Sequence, residues 1–365
     1  MTINPNKYLQ LFFPPTNTRR TKEIFNVNPT IIPERKEATD VHIYVYEYSA
    51  TEIREYTFAR VEECFSFRNS NNISWINIDG LRKADVEAIC RQYNIHYLFM
   101  EDILSVGQRA KMDEMDEGLF CLLNMIFFNE KALSVEQEQI SIVLGKNFVI
   151  TFQEDPKRDV FDPLRTKLRA SGSKLRQSGA DYLCYSLIDM IVDHYFVVME
   201  KLSEKIEMLE EDIIKFGNAR SLARINNLRK ELIVLKRNVL PVRELVNGFI
   251  RSDSDLLDER TTKYFKDVYD HTIQASDLVE NYRDMMVNLQ DLYLNKVNMK
   301  MNEVMKVMAI VTCLLAPATV IGGIFGMNFE RIPILHNKYG FYIAVALMLL
   351  IPVWMIKQFK RRGWF

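Results

Sequence analysis

Two apolar runs near the end of the chain, Val307 to Phe329 and Tyr339 to Ile356, carry no charged residue, and Gly326, Met327 and Asn328 stand at the joint between them. Each run approaches the roughly 20 residues that a helix needs to cross about 30 Å of hydrocarbon. The hairpin follows more than 300 mostly polar residues. Such a chain reads as a large soluble part that ends in a pore or an anchor.

Two crossings return the chain to the side it started from. Lys357, Lys360, Arg361 and Arg362 crowd the end of the second run, whereas the connecting loop offers Arg331 and Lys338 against Glu330. Positive-inside bias therefore places the tail and the soluble part in the cytoplasm of a multi-pass inner (plasma) membrane protein, both termini inside. With 48% apolar and 26% charged residues the soluble part can bury a core, and a net charge of −1 gives no case for nucleic acid. The five cysteines form no CxxC pair, which favours a reducing compartment. Leu9 to Phe13 is too short for a signal-peptide core, and residues 1–40 read as a poorly ordered lead-in.

Strand and helix signals alternate over residues 41–157. Val41, Ile43 and Val45 alternate, Ile73 to Ile78 is rich in β-formers, and Leu119 to Phe128 and Ile140 to Phe152 add more. Ala84 to Tyr93 has helical spacing, so this is an α/β domain. Residues 158–258 form a helical hairpin region, with Ile206, Leu209, Ile213 and Phe216 on one arm, Gly217 and Asn218 at the turn, and Leu222 to Val239 on the other. Residues 259–328 then form one long stalk helix that includes the first span at about 307–327. Its seam reads Tyr264, Val268, His271, Ala275, Leu278, Tyr282, Met285, Leu289 and Leu292. At 1.5 Å per residue, Tyr264 to Gly326 rises about 90 Å. An external loop at 329–338, a second span at 339–357 and a basic tail at 358–365 complete the chain.

Beside the seam lies a second heptad row: Asp270, Gln274, Asp277, Asn281, Asp284, Asn288, Asp291, Asn295, Asn298 and Asn302. Every member is Asp, Asn or Gln. The row continues into the span as Met305, Met308 or Ala309, Thr312, Ala316 and Thr319, and reaches the Gly326 to Asn328 joint. A solvated helix face normally mixes in Lys or Arg. Two readings fit: the wet side of a coiled coil, or a cation path formed when several copies surround an axis. Within the span the second gains weight, because a small or polar row facing lipid gains nothing, although Thr312 and Thr319 can also bond their own helix carbonyls.

Gly326-Met327-Asn328 between two spans, with a basic tail ending Gly363-Trp364-Phe365, resembles the CorA family of divalent-metal transporters. The resemblance extends to Glu101-Asp102-Ile103 with Gln108-Arg109, to Asp181 to Phe196, to Tyr264 to Asp284 and to Asn302 to Val307. It implies a homopentameric α+β membrane protein: a cytoplasmic α/β domain, long helices, a coiled-coil stalk and two C-terminal transmembrane helices. Asn328 would ring the external entrance with Gly326 and Met327, holding Mg2+ through its water shell. Thr319, Ala316, Thr312, Met308, Met305, Asn302 and Asp291 would line the pore, with Met305 and Met308 at its constriction. Asp102 and Asp267 match carboxylates that bind regulatory Mg2+ between subunits, and Asp270, Asp277 and Asp284 extend an acidic stripe. Lys357, Lys360, Arg361 and Arg362 either form a basic collar around the inner pore or anchor the span at headgroups.

The chain departs from the family pattern at Phe325, where Tyr is common, at Ile334, where many members have Glu, and at Ala316, where Met is common. Mg2+ is the expected transported and regulatory ion, with Co2+ or Ni2+ also admitted, and no organic cofactor is expected. A ZntB-like zinc transporter is the rival within this architecture, and a membrane-anchored coiled-coil scaffold the rival outside it. No enzyme is expected: GxSxG, HExxH and phosphate-loop patterns are absent, and the histidines are dispersed. His271, on the apolar seam, reads as a packed core residue.

Overall fold

The computed structural model describes residues 37–155, 158–327 and 337–364. The lead-in up to residue 36, Asn328 and the loop residues through His336 lie outside the described residues. The chain divides into two compact units, Met1–Asp212 with Ala219–Gln290, and Ile213–Asn218 with Asp291–Phe365.

The first unit is built on strands β1 (His42–Tyr48), β2 (Ile53–Phe58) and β3 (Ile73–Asp79), helices α1 (Lys83–Gln92) and α2 (Tyr97–Leu104), and strands β4 (Lys111–Met115), β5 (Gly118–Asn129), β6 (Ser134–Leu144) and β7 (Phe148–Gln153). The sheet order is β2-β1-β3-β7-β6-β5-β4. Among the described residues only β3 and β7 pair in parallel, because everything between them in sequence makes an excursion across one half of the sheet. The apolar run ending at Phe152 is two strands: Gly145 N donates to Phe148 O at 2.9 Å. A Cβ on Gly145 would lie 2.3 Å from the Phe148 ring, so a larger residue there would have to displace that ring.

Alternation along the strands sends Ile43, Val45, Ile76, Ile78, Phe120, Leu122, Ile150 and Phe152 to one face, where they pack with Val86, Ile89 and Cys90 of α1 and Ile103 of α2. The opposite face meets α3 (Asp162–Arg169), α4 (Lys174–Gln177), α5 (Ala180–Lys215) and α6 (Ala219–Arg251). Phe161 packs edge-on against Trp75 at 5.9 Å, and Tyr195 of α5 donates to Asn124 O at 2.6 Å. A buried polar chain crosses this face: Trp75 Nε1 donates to Thr151 Oγ1 at 3.0 Å, Thr151 Oγ1 to Asn77 Oδ1 at 2.6 Å, and Asn77 Nδ2 to Asp79 Oδ1 at 2.8 Å. Burial pushes the Asp79 carboxyl up to about 7, with the nearby Asp159 adding to it.

Helix α7 (Glu259–Phe325) continues from the first unit into the second. Its buried row in the first unit is Phe265, Val268, Thr272, Ala275, Val279, Tyr282, Met286 and Leu289. Val268, Ala275, Tyr282 and Leu289 are therefore seam residues as expected, but the intervening places belong to Phe265, Thr272, Val279 and Met286 instead of Tyr264, His271, Leu278 and Met285. The physical reason is visible at position 272: Thr272 Oγ1 donates to Tyr269 O at 2.6 Å, so its hydroxyl is satisfied and its methyl can pack. The seam finds its partners within the chain. Phe265 stacks on Phe249 of α6 at 4.6 Å and meets Tyr185 of α5 edge-on at 5.8 Å.

In the second unit, the tip between α5 and α6 turns at Phe216–Asn218. Gly217 takes φ +49°, and a Cβ there would come within 2.5 Å of Lys296. Lys300 Nζ donates to Phe216 O. Helix α8 (Gly340–Arg361) runs past residue 357, so Lys360 and Arg361 lie on its last turn. Its end is closed by Gly363 at φ +71°, with Trp364 N donating to Phe359 O at 3.0 Å and Gly363 N to Lys360 O at 3.2 Å. The Trp364 and Phe359 rings stack at 5.2 Å across that cap. The Gly363-Trp364 pair is thus a helix stop.

Candidate ion-conduction and cytoplasmic metal sites

Among the described residues, three helices are long and apolar enough to cross a membrane, and burial separates them. In α5 56% of the apolar window is buried inside the protein, against 6% in α7 and 11% in α8. The α5 window is core. Those of α7 and α8 present their apolar side chains outward, among them Val311, Leu315, Val320, Leu349 and Val353.

Every member of the acceptor row is exposed, from Asp270, Gln274, Asp277, Asn281, Asp284 and Asn288 in the first unit to Asp291, Asn295, Asn298 and Asn302 in the second. Met305, Met308, Thr312, Ala316 and Thr319 are exposed as well. Thr312 Oγ1 donates to Met308 O at 2.9 Å and Thr319 Oγ1 to Leu315 O at 3.1 Å. These bonds use the hydroxyl protons and leave the oxygen lone pairs as acceptors. Pro317 lies inside the helix without ending it. The helix stops at Phe325, where Gly326 N donates to Gly322 O at 2.9 Å and Met327 N to Ile324 O at 3.3 Å. Gly326 and Met327 therefore follow the helix end directly. Lys357, Lys360, Arg361 and Arg362 are all exposed.

Asp102 sits on α2 with its side chain 15% exposed, and Lys111 Nζ of β4 donates to its Oδ2 at 2.6 Å. Lys111 also lies 3.4 Å from Asp113. Within one chain, then, Asp102 is already neutralised by an ammonium. Asp267 is exposed on α7.

A cluster unread in the sequence lies elsewhere in the first unit. Asp189 and Asp193, one turn apart on α5, and His271 on α7 bring one ligand atom each to within 4.8 Å of one another. Neither Asp102 nor Asp267 belongs to this group. His271 is one-third exposed, which corrects its reading as a packed core residue: Thr272 takes the core place and turns the imidazole toward α5. Burial raises the Asp189 carboxyl, and Asp193 adds to the rise. The sequence signal was present as an Asp-x-x-x-Asp spacing, but its histidine lies 78 residues further on, on another helix.

The sequence profile of the family described as "CorA-like Mg2+ transporter protein" matches residues 70–361. The chain is 40% identical over 336 residues to the cobalt/magnesium transport protein CorA of Thermotoga maritima, covering 92% of this chain and 95% of that one. The chain belongs to the CorA family. The CorA magnesium transporter structure from Methanocaldococcus jannaschii superposes with a TM-score of 0.72 at 22% identity, over 88% of this chain and 98% of that one. The zinc transport protein ZntB of Yersinia pseudotuberculosis is also similar, 19% identical over 290 residues, 80% of this chain and 87% of that one. CorA membership makes this protein a membrane transporter of divalent cations and not an enzyme. The soluble α/β domain, the long helices and the two C-terminal spans are the CorA architecture.

Proposed function

We propose that this CorA-family chain carries Mg2+ into the cell through a homopentameric channel in the inner membrane, with both termini in the cytoplasm. The observation that carries the reading is the exposed acceptor row on α7, unbroken by Lys or Arg from Asp270 to Asn302 and continued by Thr312 and Thr319. Copies of α7 around an axis would turn that row into a column of oxygen atoms. Mg2+ sheds water reluctantly, so amide and hydroxyl rings that bond to its hydration shell select it without stripping it. The entrance ring is assigned to Gly326, Met327 and Asn328. Thr319, Ala316, Thr312, Met308, Met305, Asn302 and Asp291 line the path, and Met305 and Met308 close it by dewetting.

An inside-negative potential of 100 mV supplies about 4.6 kcal/mol for a divalent ion, enough to drive uptake without ATP. Cytoplasmic Mg2+ bridging Asp102 of one subunit and Asp267 of the next favours the closed state. In that closed state the ion competes with Lys111 for Asp102. Asp270, Asp277 and Asp284 concentrate cations along the stalk. The exposed basic residues of α8 collar the inner mouth or hold the headgroups. Co2+ and Ni2+ pass by the same path.

Uptake of Mg2+ and Zn2+ into liposomes, compared with and without a pH gradient, tests the reading. Mg2+ uptake that follows the membrane potential and ignores the pH gradient is expected. Zn2+ uptake coupled to the pH gradient, with no Mg2+ flux, would assign the chain to ZntB-like transport. No flux of either ion would leave a membrane-anchored scaffold.

A further inference from the structure

We infer that the tip between α5 and α6 docks on the near face of the bilayer that holds the spans, with Ile214 and Phe216 set among anionic lipid headgroups. Three observations support this assignment. The first is exposure where the sequence pattern expects burial. Ile206, Leu209, Ile213 and Phe216 share one helical row, and the first three are fully buried, yet Phe216 is 58% exposed and its neighbour Ile214 52%. Helix α5 ends at Lys215, so Phe216 leaves the row and stands on the turn that Gly217 makes. Large apolar side chains at an exposed helix end, beside a basic one, are the pattern of an interfacial contact.

The second is place. Ile213–Asn218 belong to the same unit as the span portion of α7. Lys300 Nζ donates to Phe216 O, and Lys296 lies against Gly217. Lys300 precedes the charge-free run at Val307 by about two turns, or roughly 10 Å of helix. The headgroup layer takes up about 5–8 Å of that distance, leaving a gap that an isoleucine or phenylalanine side chain spans. The outward-facing apolar window of α7 begins just beyond the tip, so the patch continues a surface that the membrane already covers.

The third is charge. Within Ile213–Asn218 the one ionisable side chain is the exposed Lys215, and before Val307 the neighbouring stretch of α7 sets Lys296, Lys300 and Lys306 against Glu303. The exposed carboxylates of α5, Glu207, Glu210 and Glu211, all lie at least about 7 Å earlier along the helix than Phe216. Anionic headgroups attract basic side chains within a Debye length of about 8–10 Å, and the basic side chains are the ones gathered at the tip.

The inference rests on the spans and not on which ion passes, and its test reads no flux. In a Cys313→Ser background, where the remaining cysteines are buried, a bimane label is attached to Asn218→Cys on the tip. The control carries it on Val197→Cys, an exposed position at the middle of α5. Full-length protein is reconstituted in nanodiscs, with and without anionic lipid, in which some lipids carry a nitroxide on the headgroup. The nitroxide is expected to quench the label at 218 at least threefold more than at 197, and more strongly in anionic than in neutral discs. Adding Ile214→Ser and Phe216→Ser is expected to remove at least half of that quenching without lowering the melting temperature. The comparison of 218 with 197 stands without those substitutions. Quenching at 218 no greater than at 197, or unchanged by the two substitutions, would overturn the docking. Equal quenching in neutral and anionic discs would overturn the role given to the basic residues. A label at 218 shielded from a soluble quencher, in detergent as in discs, but untouched by the nitroxide would make a second copy of the chain the occupant and overturn the inference as well.

Discussion

Helix α5 and the outer half of α7 carry similar apolar windows and use them in opposite ways. The α5 window is covered by the sheet and by α6, so Leu183, Leu187, Ile188 and Ile191 are fully buried. The α7 window is 6% buried, and its side chains face outward. Polar groups invert in the same way. In the α/β domain Asn77, Asp79 and Thr151 are buried and bonded to one another, whereas α7 displays its Asp, Asn and Gln row to the outside. Apolar length alone does not make a span, nor does polarity alone make a solvated face; what each side chain can reach decides both.

The largest test of that contrast is a polar side chain placed in each window. Leu187→Asp buries an unpaired carboxylate in α5 and should cost about 4 kcal/mol or more, abolishing the cooperative thermal transition of the cytoplasmic domain. Leu315→Asn in α7, at a position 60% exposed, should leave that transition where it is.

The buried polar chain is tested by pH. Asp79 and Glu138 both have carboxyls pushed up to about 7, chiefly by burial, whereas in the unfolded chain they ionise near the ordinary carboxylate value. Between those values the folded state holds more protons, so stability falls as pH rises from about 4 to about 7 and stays lowered above it. Asp79→Asn removes the Asp79 share of that dependence and leaves that of Glu138. It should stabilise the protein at pH 8 by an amount on the order of a few kcal/mol and much less at pH 5, as read by melting temperature.

The exposed row is tested by Asn302→Lys. A fixed cation in a cation path should cut Mg2+ uptake into liposomes at least tenfold, equivalent to about 1.4 kcal/mol on the barrier, with folding unchanged. The smallest effect belongs to Lys111→Met. Freeing Asp102 from its ammonium should lower the Mg2+ concentration that protects the cytoplasmic domain from proteolysis by about two- to fivefold, the scale of a partly exposed ion pair.

Much of this arrangement was legible in the residues. The charge-free runs, the unbroken periodicity of α7 and the alternation of β1 and β3 each report one dominant force, apolar burial with a fixed period. The phase of the α7 seam was harder to read. Tyr264, Leu278 and Met285 are as apolar as their neighbours Phe265, Val279 and Met286, so spacing cannot choose between adjacent rows, and it cannot foresee that Thr272 will satisfy its hydroxyl locally. Strand β4, Lys111–Met115, is an edge strand with mostly polar side chains and carries little β signal. The Asp189, Asp193 and His271 cluster depends on two helices meeting, and the Lys111 partner of Asp102 on a strand pairing. Apart from the Asp189 and Asp193 spacing, neither leaves a mark in local sequence.

The proposed pore requires that the acceptor row of α7 face the ion. In a Cys313→Ser background, single cysteines are placed at Thr312 and Thr319 on the row and at Val320 beside it, and each protein in liposomes is treated with a positively charged, water-soluble thiol reagent before Mg2+ uptake is measured. The account predicts block at positions 312 and 319 and none at 320. Equal sensitivity at all three positions, or block at 320 alone, would contradict it.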